Sequence, residues 1–336
     1  MRTESSLTIG IVGAGAITRK SHLPVLMNMP GVKIAWIYDQ RAEPADALAD
    51  AYGVKSVHGA LEALPACDAS LVAIPVQARA EYLRIFAARG TAVLCEKPFA
   101  MSAAEHSVLL ANFAPCALGA GYMRRMFRSA LLMRRIVRDG MFGPLLGVEV
   151  SEGNRSKGSG ADSSFLDDPL LGASRGVLAD LGSHSVDLAL FVSGATAFDV
   201  QSCSRIMDGP VDRKVEAKVE LSGATQEPDR RIELYYTVSW LDRQDNMIRL
   251  RFPHATVWSG LGPAAEVYVG DPTRPRDAIR LSSEAQGAST YNQAFFLEWQ
   301  CFLDGFRGNY ESLVSASSAL LTTSLVESLL AADDHK

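Results

Sequence analysis

The sequence predicts two successive folds: a doubly wound parallel α/β sheet at the N-terminus, then an α+β domain with a large, mostly antiparallel open sheet. Over about the first 120 residues, short apolar runs alternate with helical patterns, which implies parallel strands joined by right-handed crossovers. From about 198 to 282, strands follow one another with turns between them, the texture of an antiparallel sheet. With 336 residues the chain is long enough for both, and the change of pattern puts the boundary at 1–120 and 121–336.

The elements follow in order. Leu7–Val12 is a compact strand, and Leu23–Met29 falls on the helix after it. Val32–Tyr38 is a second strand, ending at Asp39. Ala42–Tyr52 is alanine-rich with helical periodicity, and Gly53 closes it as a helix-terminating glycine. Ala69–Ile74 and Ala92–Cys95 are buried strands, separated by a helix over Ala78–Arg89 that stops at Gly90. A helix over 127–139 ends at Asp139-Gly140, and the strand Leu145–Glu152 follows it. Residues 153–175, with Asn154, Arg155, Lys157, Asp162 and Asp168, read as a long polar loop suited to recognition. A helix carrying Asp180 and His184 comes next. Phe198–Arg205, Lys214–Leu221, Arg231–Trp240, Met247–Phe252, Ala255–Trp258 and Glu266–Val269 are strands; Tyr291–Phe306 and Ser312–Ala332 are closing helices.

Composition narrows the function classes. Hydrophobic residues make up 48% of the chain and charged ones 21%, ordinary for a globular protein. A net charge of -5 gives no reason to expect nucleic acid or an anionic membrane as partner. The five cysteines (Cys67, Cys95, Cys116, Cys203, Cys301) are scattered, which argues against a disulfide framework and against a metal site. No apolar stretch reaches the roughly 20 residues needed to span a bilayer, and Met1 to Ser6 is short and polar, so the expected location is the cytoplasm. Arg124, Arg125, Arg128, Arg134, Arg135 and Arg138 cluster on one predicted helix. They form either a solvated face or a site for an anionic group.

Three motifs carry chemistry. Gly10-Ile11-Val12-Gly13-Ala14-Gly15-Ala16-Ile17-Thr18 follows the first strand and opens a helix. Gly13 permits the tight turn, and Gly15 lets the backbone at Ala16 and Ile17 approach a pyrophosphate at the helix N-terminus. Thr18 stands where the third glycine or alanine of this Rossmann fingerprint is usual. Asp39, at the end of the second strand, is where an acid bonds the adenosine ribose. A carboxylate there repels a 2′-phosphate, so NAD is expected, while Arg41 leaves NADP as the alternative. The second motif, Glu96-Lys97-Pro98, ends a strand of the parallel sheet, where ligands bind. Lys97 is either an orienting ammonium for a substrate oxygen or a surface lysine beside a proline turn. The third is Gly176…Asp180-x-x-x-His184-x-x-Asp187. Four-residue spacing puts an acid and an imidazole on one helix face, as an acid/base pair or as a helix-start Asp with a satisfied core histidine.

Together these motifs resemble the glucose–fructose oxidoreductase / inositol dehydrogenase / rhizopine-catabolism (Gfo/Idh/MocA) family. Arg124 with the following helix into Gly140-Met141-Phe142-Gly143, and Phe302-Leu303-Asp304-Gly305-Phe306-Arg307-Gly308, carry the resemblance further along the chain. The resemblance implies a Rossmann domain over 1–120 and a substrate-binding and oligomerisation domain over 121–336, the closing helices packing back on the first. It implies NAD(P)-dependent hydride transfer at a carbon of a sugar, cyclitol or nucleotide-linked sugar, in a homodimer or homotetramer. Lys97, Asp180 and His184 take the family's catalytic places: His184 as general acid/base, Lys97 positioning the reacting oxygen, Asp180 orienting substrate or imidazole. Gly13, Gly15, Ala16, Ile17, Asp39, Arg41, Pro75, Glu96 and Lys97 are the expected cofactor contacts, and Tyr122, Arg124 and Arg175 join the three catalytic residues as substrate contacts. There are departures. After the fourth strand the family often has a threonine-proline-asparagine turn, then a histidine; here Ile74-Pro75-Val76-Gln77-Ala78-Arg79 puts Val76 and Arg79 in those places. The glycine run before the aspartate is Ser174-Arg175-Gly176, so Arg175 is a second candidate for a substrate anion. The contrasting reading is a non-catalytic NAD(H)-binding sensor or partner subunit, which would need none of Lys97, Asp180 and His184.

Overall fold

The computed structural model describes residues 6–155, 176–223, 229–271, 273–282, 287–308 and 313–332. β1 (Leu7–Val12) leads through a π-helical turn, Thr18–His22, into the short α1 (Leu23–Leu26). β2 (Val32–Tyr38), α2 (Ala42–Tyr52), β3 (Ser56–Val57), β4 (Ala69–Val72), α3 (Arg79–Ala88), β5 (Ala92–Glu96), α4 (Ala103–Ala111) and β6 (Leu118–Gly121) follow. Among the described residues these strands form a six-stranded parallel sheet in the order β3-β2-β1-β4-β5-β6. β4 and β5 are buried at every position, as parallel strands covered on both faces must be. β3 and β6 were not legible in the sequence. β3 is two residues long, and β6 reads Leu-Gly-Ala-Gly, with no β-branched or aromatic side chain to mark it.

After β6 come α5 (Arg128–Arg138), β7 (Gly147–Gly153), a second π-helical turn over Leu178–Gly182 and α6 (Ser183–Ser193). β8 (Ala197–Asp208), β9 (Val211–Ser222), β10 (Ile232–Ser239), β11 (Met247–Arg251), β12 (Thr256–Gly260), β13 (Val267–Gly270) and β14 (Ile279–Leu281) are all strands. They make an eight-stranded sheet among the described residues, in the order β14-β13-β12-β11-β7-β10-β9-β8. Only the β7–β10 pair is parallel. One face buries Val148, Val150, Val219, Leu234, Val238 and Leu250, with α6 packed against β7 and α5 against α6. The opposite positions carry ion pairs, among them Arg251–Glu233 at 2.7 Å and Lys218–Glu233 at 3.4 Å.

α7 (Tyr291–Phe306) and α8 (Leu320–Ala331) close the chain. The helix expected from Ser312 begins only at Leu320, after a 3-10 turn over Ala316–Ala319. Residues 1–123 with 291–320 form one compact unit and 124–290 with 321–336 the other, so α7 belongs with the parallel sheet. Among the described residues, no helix is long and apolar enough to cross a membrane.

Candidate active site

In the first unit the glycine-rich turn sits at the switch point of the parallel sheet, where β1 and β4 lie side by side. Gly13 has φ +101°, and a Cβ there would drive into the carbonyl oxygen of Ala73, just past β4. Only glycine fits both demands. Beyond it, Gly15, Ala16 and Ile17 are exposed, and a Cβ on Gly15 would meet nothing within 4 Å. Thr18 is fully buried and donates its hydroxyl to Gly13 O at 2.6 Å. The missing third glycine is therefore replaced by a side chain that closes the turn. Asp39 accepts the Ala14 N–H on Oδ2 (2.9 Å) and the Arg41 N–H on Oδ1 (3.0 Å), which ties the end of β2 to the turn. Pro75 is exposed on the turn after β4. An open turn with Asp39 at its edge fits a dinucleotide. Gly13→Ala is expected to cost about 1–2 kcal/mol for the backbone conformation alone, with the collision added. Thermal unfolding and an NADH titration on the variant check this; unchanged stability and affinity would contradict the geometry.

The Lys97 turn is held from inside the same unit. Lys97-Pro98 is a cis peptide bond. Above it runs a buried relay. Trp299 on α7 donates its indole N–H to His22 Nδ1 (3.0 Å). Since an indole N–H only donates, the ring hydrogen of His22 sits on Nε2, which donates to Glu96 Oε1 (2.8 Å). Glu96 Oε2 then accepts the backbone N–H of Lys97 (3.0 Å). Burial pushes the Glu96 carboxyl up, but the His22 hydrogen bond and the nearby charges of Lys97 and Arg79 outweigh it and leave its pKa below the usual carboxylate value. Glu96, one of the expected cofactor contacts, is 7% exposed and both its carboxylate oxygens are engaged within the fold. Neither His22 nor Trp299 was singled out from the sequence. They lie 74 and 203 residues from Glu96, and nothing local to either one signals the relay.

Arg79, the departure from the family's histidine, is 4% exposed on the first turn of α3. Its Nε donates to Ile74 O (2.7 Å), Nη1 to the carbonyls of Glu96 and Pro98, and Nη2 to Lys97 O (3.3 Å). Val76, in the asparagine's place, is buried.

In the second unit Asp180 lies on the π-helical turn and His184 on the first turn of α6, both half-buried. A π-turn inserted ahead of a helix re-aims side chains and recurs at functional sites. The segment starts at Gly176, where a Cβ would collide with the Asp212 carboxylate. Asp212, on β9, accepts the Leu178 N–H at 2.8 Å and so caps the turn that bears Asp180. Burial raises the Asp212 pKa, partly offset by the Leu178 hydrogen bond. Behind α6, the Ser185 hydroxyl lies 3.1 Å from the Tyr236 hydroxyl, and burial pushes the Tyr236 pKa upward. Asp212 and Tyr236 were missed because strands β9 and β10 bring them to the helix from far along the chain.

Two of the expected substrate contacts are buried and engaged within the fold. Arg124 is 8% exposed and makes a bidentate pair with Glu152, at 2.7 and 3.0 Å. Its charge is thus balanced by Glu152 inside the fold. Tyr122 is 1% exposed, within the apolar core of the first unit. Asp187 pairs with Arg125 and accepts the Thr322 hydroxyl (2.9 Å), so it anchors α6 to α8. The arginine cluster divides: Arg134 packs over the Phe191 ring while Arg135 and Arg138 pair at the surface with Asp139. Arg175 lies outside the described residues.

Comparison with known proteins agrees with this architecture. A family model described as oxidoreductase family, NAD-binding Rossmann fold, matches residues 7–115, and a model of the GFO/IDH/MocA C-terminal domain matches residues 130–251. A glucose-6-phosphate 3-dehydrogenase of Bacillus subtilis is 26% identical over 186 residues, 55% of this chain and 53% of that one. An inositol 2-dehydrogenase of Rhizobium meliloti is 25% identical over 206 residues, 60% of this chain and 59% of that one. The chain thus matches between half and three-fifths of these relatives' length. An aldose-aldose oxidoreductase of Caulobacter crescentus shares the fold with a TM-score of 0.78 at 18% identity, covering 96% of each chain. With both family models matched in order along the chain, the protein belongs to the Gfo/Idh/MocA oxidoreductase family, whose first domain is an NAD-binding Rossmann fold.

Proposed function

We propose that this chain is a cytoplasmic NAD(P)-dependent dehydrogenase or reductase acting on CH–OH groups, with a sugar, cyclitol or nucleotide-linked sugar as substrate. The observation that carries the reading is the Lys97 turn. Its backbone N–H is held by buried Glu96 and its carbonyl by buried Arg79, a construction for which a surface lysine beside a proline has no use. The names of the curated relatives, glucose-6-phosphate 3-dehydrogenase and inositol 2-dehydrogenase, favour a polyhydroxylated substrate.

In this reading the turn 13–17 and Asp39 hold the dinucleotide, Arg41 and Pro75 border it, and the bound nicotinamide accepts or supplies the hydride. His184 exchanges the proton of the reacting hydroxyl as general acid/base. The Lys97 ammonium orients that oxygen, and Asp180 orients the substrate or the imidazole. The active form is a homodimer or homotetramer.

Asp39 favours NAD. A carboxylate a few ångströms from a 2′-phosphate costs about 1–4 kcal/mol in surroundings between water and protein surface. NADH is therefore expected to bind tighter than NADPH, and Asp39→Ala to narrow the difference by roughly tenfold or more. Fluorescence titration of both nucleotides checks this, with turnover measured on a panel of aldoses, inositols and nucleotide sugars. If neither nucleotide binds, the proposal fails. Binding without turnover of any panel member would return the sensor reading.

A further inference from the structure

Arg79 stands out among the buried side chains of the first unit. A guanidinium presents five N–H donors in one plane. Here they reach the carbonyls of Ile74, Glu96, Lys97 and Pro98, so one side chain engages the turn that follows β4 and every carbonyl of the Glu96-Lys97-Pro98 turn. The same turn is gripped on its N–H side by Glu96, which His22 and Trp299 hold in place. Both backbone polar groups of Lys97 are thus bonded to charged side chains buried in the fold. Neither lysine, with a single ammonium, nor histidine, with two ring nitrogens, can reproduce four acceptors in that plane.

We propose that Arg79 is a positioning residue for the reaction: it fixes the backbone of Lys97 and thereby the direction in which the Lys97 side chain leaves the sheet. This rests on the function proposed above. The guanidinium itself contacts main-chain oxygens only, so its loss changes where the ammonium points and leaves the glycine turn and Asp39 as they are. A misplaced group of this kind costs on the order of 10²-fold in rate.

The test uses the full chain and three variants, Arg79→Ala, Arg79→Lys and Arg79→Leu. Arg79→Ala is expected to lower kcat by roughly 10- to 100-fold, with KM and NADH affinity within about threefold of the parent protein. Millimolar guanidinium should restore much of the lost kcat in Arg79→Ala, where it fills the vacated space, and not in Arg79→Leu, where the side chain occupies it. Arg79→Lys should stay impaired although the charge is kept. An activity-independent readout separates this proposal from the function it rests on. After reductive 13C-methylation, the Lys97 signal, assigned by its loss in Lys97→Arg, should broaden or split in Arg79→Ala and sharpen again with guanidinium. That result supports the proposal even if no panel substrate is turned over. A kcat unchanged in Arg79→Ala, a loss confined to NADH affinity, or a Lys97 signal identical in parent and folded variant would overturn it. If Arg79→Ala does not fold, the same comparisons on Arg79→Lys decide.

Discussion

Lys97→Met is expected to lower kcat by about 10²–10⁴-fold, the usual contribution of a positioned proton-handling group, while NADH affinity stays within a few-fold. Methionine matches the length of the lysine stem and removes only the ammonium. The backbone bonds to Glu96 and Arg79 involve the main chain of residue 97 and survive the change. His184→Asn should show a loss of similar size, since it removes the acid/base group and keeps a polar side chain on α6. If the two act on one oxygen, the double variant will be little worse than the more damaged single one. Steady-state kinetics with the best panel substrate, together with NADH titrations of each variant, measure this. Additive losses would mean that the two residues serve different steps, and a normal kcat in Lys97→Met would remove the lysine from the reaction.

The second large effect concerns stability in mild acid. His106, on α4, is fully buried, packs against the Phe99 ring at 4.2 Å between centroids, and donates from Nε2 to Ala316 O at 2.9 Å. Burial lowers its pKa from 6.5 to about 4, partly opposed by the Ala316 hydrogen bond. In the unfolded chain the imidazole takes up a proton as the pH falls through 6.5; in the folded protein it resists until about 4. Acidification across that window therefore favours the unfolded state. Two to three pKa units correspond to about 3 kcal/mol, a substantial part of a typical domain's stability. The contribution is intact above pH 6.5 and fully lost below 4. His106→Gln keeps a donor for Ala316 and removes the titration, so its stability should change less between pH 7 and pH 5. Urea unfolding at both pH values, followed by hydrogen exchange of the β5 and β6 amides, makes the comparison. Equal losses in parent and variant would rule His106 out as the cause.

Much of the fold was legible because its signals are local. The helix over Ala42–Tyr52 and its terminating Gly53, with φ +64°, appear as read, since alanine periodicity and a left-handed glycine act within one or two turns. The alternation of strand and helix announced the parallel sheet, and the run of strands announced the antiparallel one. The glycine turn, Asp39 and the Glu96-Lys97-Pro98 turn were found for the same reason: each is a continuous segment whose shape follows from its own residues.

What sequence alone determined, then, is the order of most of the elements, the family, and the segments from which the proposed chemistry comes. Tertiary structure decided which side chains are free to act. Arg124 and Tyr122 looked like residues lining a crevice, yet one is neutralised by Glu152 and the other is buried in a core. Arg79 looked like a lost histidine and proved to be a clamp on three carbonyls. Trp299, His22 and Asp212 gave no signal at all. The reason is physical: a buried charge or hydrogen-bonding group must find a partner, and strands and helices bring that partner from positions far away in the chain, where neither periodicity nor spacing records it.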